Sequence, residues 1–195
     1  DLDFILATDE CYCEIYCGAP PPGIIEACAT DDGHLRNVIA FHSLSKRSNV
    51  PGLRSGFVVG DSDLIMDFAR LRQYTGGASP GPILAAATSL WKDEAHVKAN
   101  RALYRDKFSD AEKIIGGHPH FYRPDGGFYL WLKVGDGEET ARRLWASAGV
   151  KVMPGAYLSR EGGNPPGAAY IRLALVHDRS KTTEALTRLA THIQE

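Results

Sequence analysis

Neither sign of charge dominates this chain: 22 Lys and Arg stand against 24 Asp and Glu in 195 residues, a formal net charge of −2. That balance gives no electrostatic case for nucleic acid or an acidic membrane as partner. Long apolar runs are missing as well; none approaches the roughly 20 residues of a spanning helix. The opening Asp1-Leu2-Asp3 has no basic segment of the kind that heads a secretory signal. The expectation is a cytoplasmic protein. Cysteine is sparse and confined to positions 11, 13, 17 and 28. Zinc sites normally set paired cysteine elements far apart, so the cluster reads as small, reduced packing residues and no metal is expected. There is no internal repeat and no low-complexity tract. There is no initiator methionine either, and a strand-like run begins at Phe4. The chain therefore reads as the later portion of something longer.

What is present is ordinary material for a folded domain, 44% hydrophobic and 24% charged. Residues 4–8 and 38–42 read as short apolar strands buried on both faces, as in a parallel sheet. Phe57-Val58-Val59-Gly60 reads as a third strand. Asp61 or Ser62 is placed to cap a helix with Leu64, Phe68 and Leu71 inward. A loop over 76–81 precedes a helix with Ile83, Leu84, Ala87 and Leu90 on its inner face. From Asp93 a helix runs to about Ile115, roughly 30 Å at 1.5 Å per residue. Val97, Tyr104, Phe108, Ala111 and Ile115 form its stripe. Beyond it the pattern shortens. Residues 121–134 read as a hairpin, and Asp136 caps a helix ending before Gly149. Residues 150–153 and 169–176 read as strands. Ser180 caps a last helix with Leu186, Leu189, Ala190 and Ile193 inward. The expected architecture is an α/β part over 1–97 followed by an α+β part over 98–195.

The chemistry concentrates in the stretch from Ser43 to Gly56. Lys46 follows a buried strand inside a turn rich in hydroxyls and arginines. Arg47 and Arg54 beside it, with partial burial, would favour the neutral amine that condenses with a carbonyl. Ser43, Ser45 and Arg54 suit a phosphate, through hydroxyl and guanidinium donors. The plain alternatives are a solvated lysine and a surface ion pair. Asp9 and Tyr12 follow the first strand, where open α/β sheets bind ligands. A carboxylate there can pair with a protonated pyridine nitrogen, or it can merely cap a turn. Arg172 stands alone on one face of a late strand whose other face carries Ile171, Leu173 and Leu175. A buried arginine needs an anion, either a substrate carboxylate or a structural Asp or Glu. His118 and His120 lack a third ligand and read as loop residues. Phe128, Tyr129 and Trp131 read as core and interface.

Ser43-x-Ser45-Lys46 with Pro51-Gly52-x-Arg54-x-Gly56 resembles the fold-type I, class I/II aminotransferases that depend on pyridoxal 5′-phosphate (PLP). Asp9-Glu10-x-Tyr12-x-Glu14-Ile15-Tyr16 resembles their cofactor-ring segment. Within that family the wording is similar to the N-succinyldiaminopimelate aminotransferases, as is Trp91-Lys92-Asp93-Glu94-Ala95-His96-Val97 with Asn100-Arg101 and Tyr104-Arg105. The resemblance implies part of the type I fold: the C-terminal part of a large parallel-sheet domain plus a small α+β domain. It implies Lys46 as covalent anchor and proton shuttle, with Asp9 on the pyridine nitrogen and Tyr12 on the phenolic oxygen. It implies Ser43, Ser45 and Arg54 on the phosphate and Arg172 on the substrate α-carboxylate. The implied reaction moves the amino group of glutamate to N-succinyl-2-amino-6-oxopimelate, in lysine and diaminopimelate synthesis. The implied partners are small amino and keto acids, and a second copy in a homodimer. The family's phosphate loop, ring-stacking aromatic and phenolic-oxygen asparagine lie upstream, so the isolated chain is expected to bind PLP poorly and not to turn over. Competing expectations are a PLP-sensing module of a transcriptional regulator, another class I/II aminotransferase, or a related PLP lyase. A distal substrate carboxylate would need a second cation, with Arg47, Lys151 and Arg160 as candidates.

Overall fold

The computed structural model describes residues 4–28, 35–160, 163 and 165–193. It divides into two compact units, Asp1–Arg101 and Ala102–Glu195.

In the first unit, strands β1 (Leu6–Asp9), β2 (Val38–Ser43) and β3 (Gly56–Gly60) form a sheet in that order. β1 runs parallel to β2, with Asp9 opposite Phe41, and β3 runs antiparallel to β2, with Ser43 opposite Gly56. Val38, Ile39 and Ala40 are buried, as an apolar run between helices requires. β1 departs from expectation: it alternates half-buried and exposed residues instead of being buried on both faces. The reason is its place at the edge of the described sheet, with β2 as its one strand neighbour. Helix α1 (Ile24–Cys28) precedes β2, and the four-residue helix α2 (Leu44–Arg47) follows it directly. After β3, Asp61 caps helix α3 (Ser62–Thr75) by accepting from the Asp63 amide. The expected inner face of α3 is only partly realised. Phe68 meets Phe41 edge-on at 5.9 Å, but Leu71 is exposed and no residue of the helix is fully buried. In α4 (Gly81–Lys92) only Ala87 is fully buried, and Leu84 faces solvent.

Helix α5 (Ala95–Ile115) starts where Asp93 accepts from the Ala95 amide at 2.8 Å, so Asp93 caps the helix from outside it. Its stripe of Val97, Tyr104, Phe108, Ala111 and Ile115 is buried as the 3.6-residue spacing predicts. In the second unit, β4 (Tyr129–Lys133), β5 (Met153–Pro154) and β6 (Tyr170–Ala174) form an antiparallel sheet with β6 in the middle. Helices α6 (Gly137–Ala148) and α7 (Arg179–Ala190) complete the unit. Phe108, Leu130, Leu132, Leu144, Ile171 and Leu189 are the largest side chains of this unit shut fully from water. Each contributes about 1.5–3 kcal/mol by burial.

Three local expectations fail here. No hairpin forms over 121–134, because residues 121–124 are not a strand and β4 pairs with β6 instead. Pro124 offers no N–H to a ladder, and Arg123 is drawn to Glu112 of α5 at 2.9 Å. The strand expected over 150–153 shrinks to Met153–Pro154. The cap of α7 is Asp178, which accepts from the Lys181 amide at 2.9 Å; the Ser180 hydroxyl donates to that same carboxylate.

Candidate active site

Because β1 and β2 are parallel and in register, Asp9 and Ser43 emerge together at the carboxyl end of the sheet. β3 begins at that same end, at Gly56. Open α/β sheets bind ligands there. Ser43 is the N-cap of α2, with its Oγ accepting from the Ser45 amide at 3.1 Å and lying 2.9 Å from Ser45 Oγ. Arg54 closes the 3-10 turn Pro51–Leu53 in the left-handed region, at φ 51°, and its guanidinium donates to the Pro51 carbonyl at 2.8 Å. Ser43, Ser45, Arg54 and Ser55 border one cavity of about 630 Å3, whose apolar wall includes Phe41 and Phe68. Hydroxyls and a guanidinium facing one cavity are the donors a phosphate dianion takes.

Lys46, Asp9 and Tyr12 do not border that cavity. Lys46 is half-buried in α2, and its Nζ lies 5.8 Å from the centre of the Tyr12 ring. Asp9 is exposed and its Oδ1 accepts from the Cys11 amide at 3.0 Å. Hydrogen bonds from Cys11 hold its carboxyl below the ordinary aspartate value, so it is ionised and suited to a cation. Asp9 is thus a turn residue and a candidate ion partner at once. The neighbouring thiols are poor nucleophiles. Burial pushes Cys11 up to about 11, and burial also raises Cys13. All four cysteines are free, and no metal-holding group of His, Cys, Asp or Glu occurs among the described residues.

Arg47 is engaged by the end of α4 and the residues after it. It is 5% exposed, its guanidinium donates to the Leu90 carbonyl at 2.9 Å and forms an ion pair with Glu94, and it lies over the Trp91 ring. Committed in this way, it is not a cation for a distal carboxylate. Arg101 likewise fixes the segment after β1, bonding the Glu14 carbonyl at 2.9 Å and its carboxylate at 2.6 Å, with its guanidinium over Tyr16. Sequence reasoning assigned no role to Glu94, Asn100 or Arg101. The usable signal was a charged cluster, residues 91–101, placed between two apolar helix faces.

In the second unit, Arg172 projects from β6 opposite the buried Ile171 and Leu173. Its guanidinium lies 4.4 Å from the Tyr129 ring centre and 5.7 Å from that of Phe128. Its Nε is buried without a hydrogen-bond partner. A structural Asp or Glu on that nitrogen is therefore absent among the described residues, and an outside anion would satisfy it. Trp131 stacks on Tyr170 at 5.4 Å, and Phe128 is core, as expected of these aromatics. His118 and His120 sit together in a loop. Among the described residues no helix is long and apolar enough to cross a membrane.

The donor set matches PLP group by group: hydroxyls and a guanidinium for its phosphate, a carboxylate for its pyridinium, and an amine for its aldehyde carbon. The profile of the aminotransferase class I and II family matches residues 2–189. The LL-diaminopimelate aminotransferase of Aquifex aeolicus is 32% identical over 97% of this chain and 48% of its own length. An aminotransferase crystal structure from Neisseria meningitidis is 42% identical, with a TM-score of 0.90 over 98% of this chain and 50% of that one. The α-aminoadipate aminotransferase LysN of Thermus thermophilus, complexed with N-(5′-phosphopyridoxyl)-L-leucine, is 25% identical. Its TM-score is 0.83 over 97% of this chain and 50% of that one. The chain spans about half the length of the relatives it matches.

Proposed function

The chain belongs to the aminotransferase class I and II family, and we propose that it serves amino transfer from glutamate to N-succinyl-2-amino-6-oxopimelate. Its fold is part of the type I fold of PLP-dependent aminotransferases, and PLP is the family's cofactor. When bound, PLP supplies an electron sink for the charge left on a substrate α-carbon. The chain's residues do the rest. Lys46 anchors the cofactor covalently and carries the α-proton on its Nζ. Asp9 keeps the pyridine nitrogen protonated, and the Tyr12 hydroxyl bonds the phenolic oxygen. Ser43, Ser45 and Arg54 hold the phosphate, and Arg172 takes the substrate α-carboxylate bidentately.

The observation that supports this most strongly is the arrival of Asp9, Ser43 and the Lys46 turn at one end of the sheet. The buried, unpartnered Nε of Arg172 supports a carboxylate ligand in the second unit. The diaminopimelate substrate of the Aquifex relative supports the acceptor class. With Arg47 committed to Glu94, exposed Lys151 and Arg160 remain as candidates for the distal carboxylate. Relatives twice as long support the reading that the chain alone binds PLP weakly without turnover; that the working enzyme is a homodimer rests on the family resemblance alone.

The test is chemical. Full-length protein treated with PLP and reduced with borohydride should carry a pyridoxyl group on Lys46, read by peptide mass spectrometry. The PLP-loaded full-length enzyme should release 2-oxoglutarate from glutamate, and a keto-acid panel then ranks acceptors. Label on other lysines but not on Lys46 would overturn the assignment.

A further inference from the structure

We infer that the corner between α4 and α5 is a clamp that positions Lys46, with Ser48, His96 and Asp93 as one of its links. The inference rests on the reading of Lys46 as cofactor anchor. Three consecutive residues of the lysine turn are gripped by this one corner. The Lys46 carbonyl accepts from Asn100 Nδ2 at 3.4 Å. The Arg47 guanidinium holds the Leu90 carbonyl and the Glu94 carboxylate. Ser48 Oγ lies 2.8 Å from His96 Nε2, and His96 Nδ1 lies 2.8 Å from Asp93 Oδ2.

The lysine turn needs such a grip. α2 has four residues, too few to persist on local hydrogen bonds. Its own supports are the Ser43 cap and the Ser48 amide donating to Leu44. The clamp adds contacts from more than 40 residues away in sequence. Asp93 does two things at once: it caps α5 through the Ala95 amide and orients the His96 ring. A carboxylate on Nδ1 fixes the imidazole so that Nε2 faces the Ser48 hydroxyl. The hydroxyl–imidazole–carboxylate line resembles a nucleophilic triad, but Ser48 is buried, so the line acts as a brace rather than on a substrate. Ser48, His96 and Asp93 are therefore positioning residues that work through Lys46.

The test measures, in the full-length enzyme, the borohydride-trapped PLP label on Lys46 against exposed Lys113 in four variants. Asp93→Asn keeps a capping side chain at an exposed position and changes only the partner of the imidazole. Ser48→Ala, His96→Ala and the double variant complete a cycle. Misplacing a reacting group by about 1 Å costs up to about 100-fold. We expect the Lys46-to-Lys113 ratio to fall about tenfold in each of the two alanine variants and by less in Asp93→Asn. The double variant should fall no further than either single one. Amide exchange at Lys46 and Arg47 should quicken without PLP. Unchanged ratios, or additive losses in the double variant, would overturn the clamp. A wild-type ratio of one would instead overturn the anchor assignment, leaving amide exchange to judge the clamp alone: no quickening would overturn it.

Discussion

The second unit closes around a larger core than the first, although each leaves large apolar side chains in water. Of the eight largest fully buried side chains, only Leu44 and Val97 lie in the first unit. Phe4, Ile5, Met66, Leu71 and Leu84 are more than half exposed there, and Tyr74 is 85% exposed. What holds the first unit is largely polar: Arg47 on Glu94, Arg101 on Glu14, His96 on Ser48, and Glu10 on the Ile24 amide. The second unit sets α6 against a sheet whose central strand buries Ile171 completely, with α7 packed beside α6. The candidate cofactor residues thus lie in the polar-pinned unit and the candidate carboxylate grip in the close-packed one. Removing apolar volume should therefore hurt the second unit far more than the first. Phe108→Ala should cost about 3–5 kcal/mol, because its site is fully enclosed. Leu71→Ala on α3 should stay within about 0.5 kcal/mol. Urea unfolding with unit-resolved amide exchange reads both, and comparable losses at the two positions would erase the contrast.

Arg172 tests the same contrast from inside the close-packed unit, where one group breaks the rule. A buried donor without a partner costs about 1–3 kcal/mol. Its stacking on Tyr129 returns part of that, of order 1 kcal/mol. Arg172→Met should leave the stability of the unit unchanged or raise it by up to about 1 kcal/mol. Dicarboxylate binding by the full-length enzyme, measured by titration calorimetry, should be lost. A stability loss as large as that of a core truncation would mean that the arginine serves the fold and not a ligand.

A smaller effect is expected at Arg54, on the polar-pinned side. A non-glycine residue at φ 51° is held in a strained region, so Arg54→Gly should stabilise the first unit by about 0.5–1 kcal/mol. The same change should weaken phosphate at the Ser43–Ser45 cavity, seen as a faster loss of PLP on dialysis of the full-length enzyme. Should Arg54→Gly bind PLP as tightly as wild type, the phosphate grip would have to lie elsewhere.

How much of this was legible in the sequence follows from the same contrast. The α5 stripe, the α6 caps and the β6 alternation were readable because each apolar face meets its partner within the chain. Leu71 and Leu84 depart from the inward face that their periodicity predicts, because no described residue covers them. The hairpin over 121–134 failed because a turn motif says nothing about which strand is the better partner, and β6 won. At the candidate site, the lysine turn and the Asp9 carboxylate could be read from residue type at a strand end, and Arg172 from its place on one face of a strand. The clamp could not, because Ser48 and His96 stand far apart in sequence and meet only through the fold. The ion pair of Arg47 could not be read either, because its partner Glu94 is remote in sequence.

The smallest predicted effect is a pH response confined to the close-packed unit. Lys107 is 7% exposed and donates to the Leu175 carbonyl at 2.9 Å. Burial lowers its pKa below the ordinary lysine value of 10.5, against a weaker opposing pull from the Asp178 charge. The unfolded chain thus holds this proton to higher pH than the folded one. The stability linked to Lys107 is complete above the ordinary lysine range and is lost as pH falls through the lowered value. Tyr104, beside it, acts in the opposite sense. Burial raises its phenol above the ordinary value of 10.0, so its contribution is complete below that value and is lost as pH rises through the raised one. In the wild type the two responses offset each other on the alkaline side. Lys107→Met removes the rise and leaves the fall, so the urea midpoint of the variant should drop with increasing alkalinity more steeply than that of the wild type. Parallel curves would show that Lys107 keeps its proton within the fold as easily as in water, and that the enclosure of this unit is looser than its packing implies.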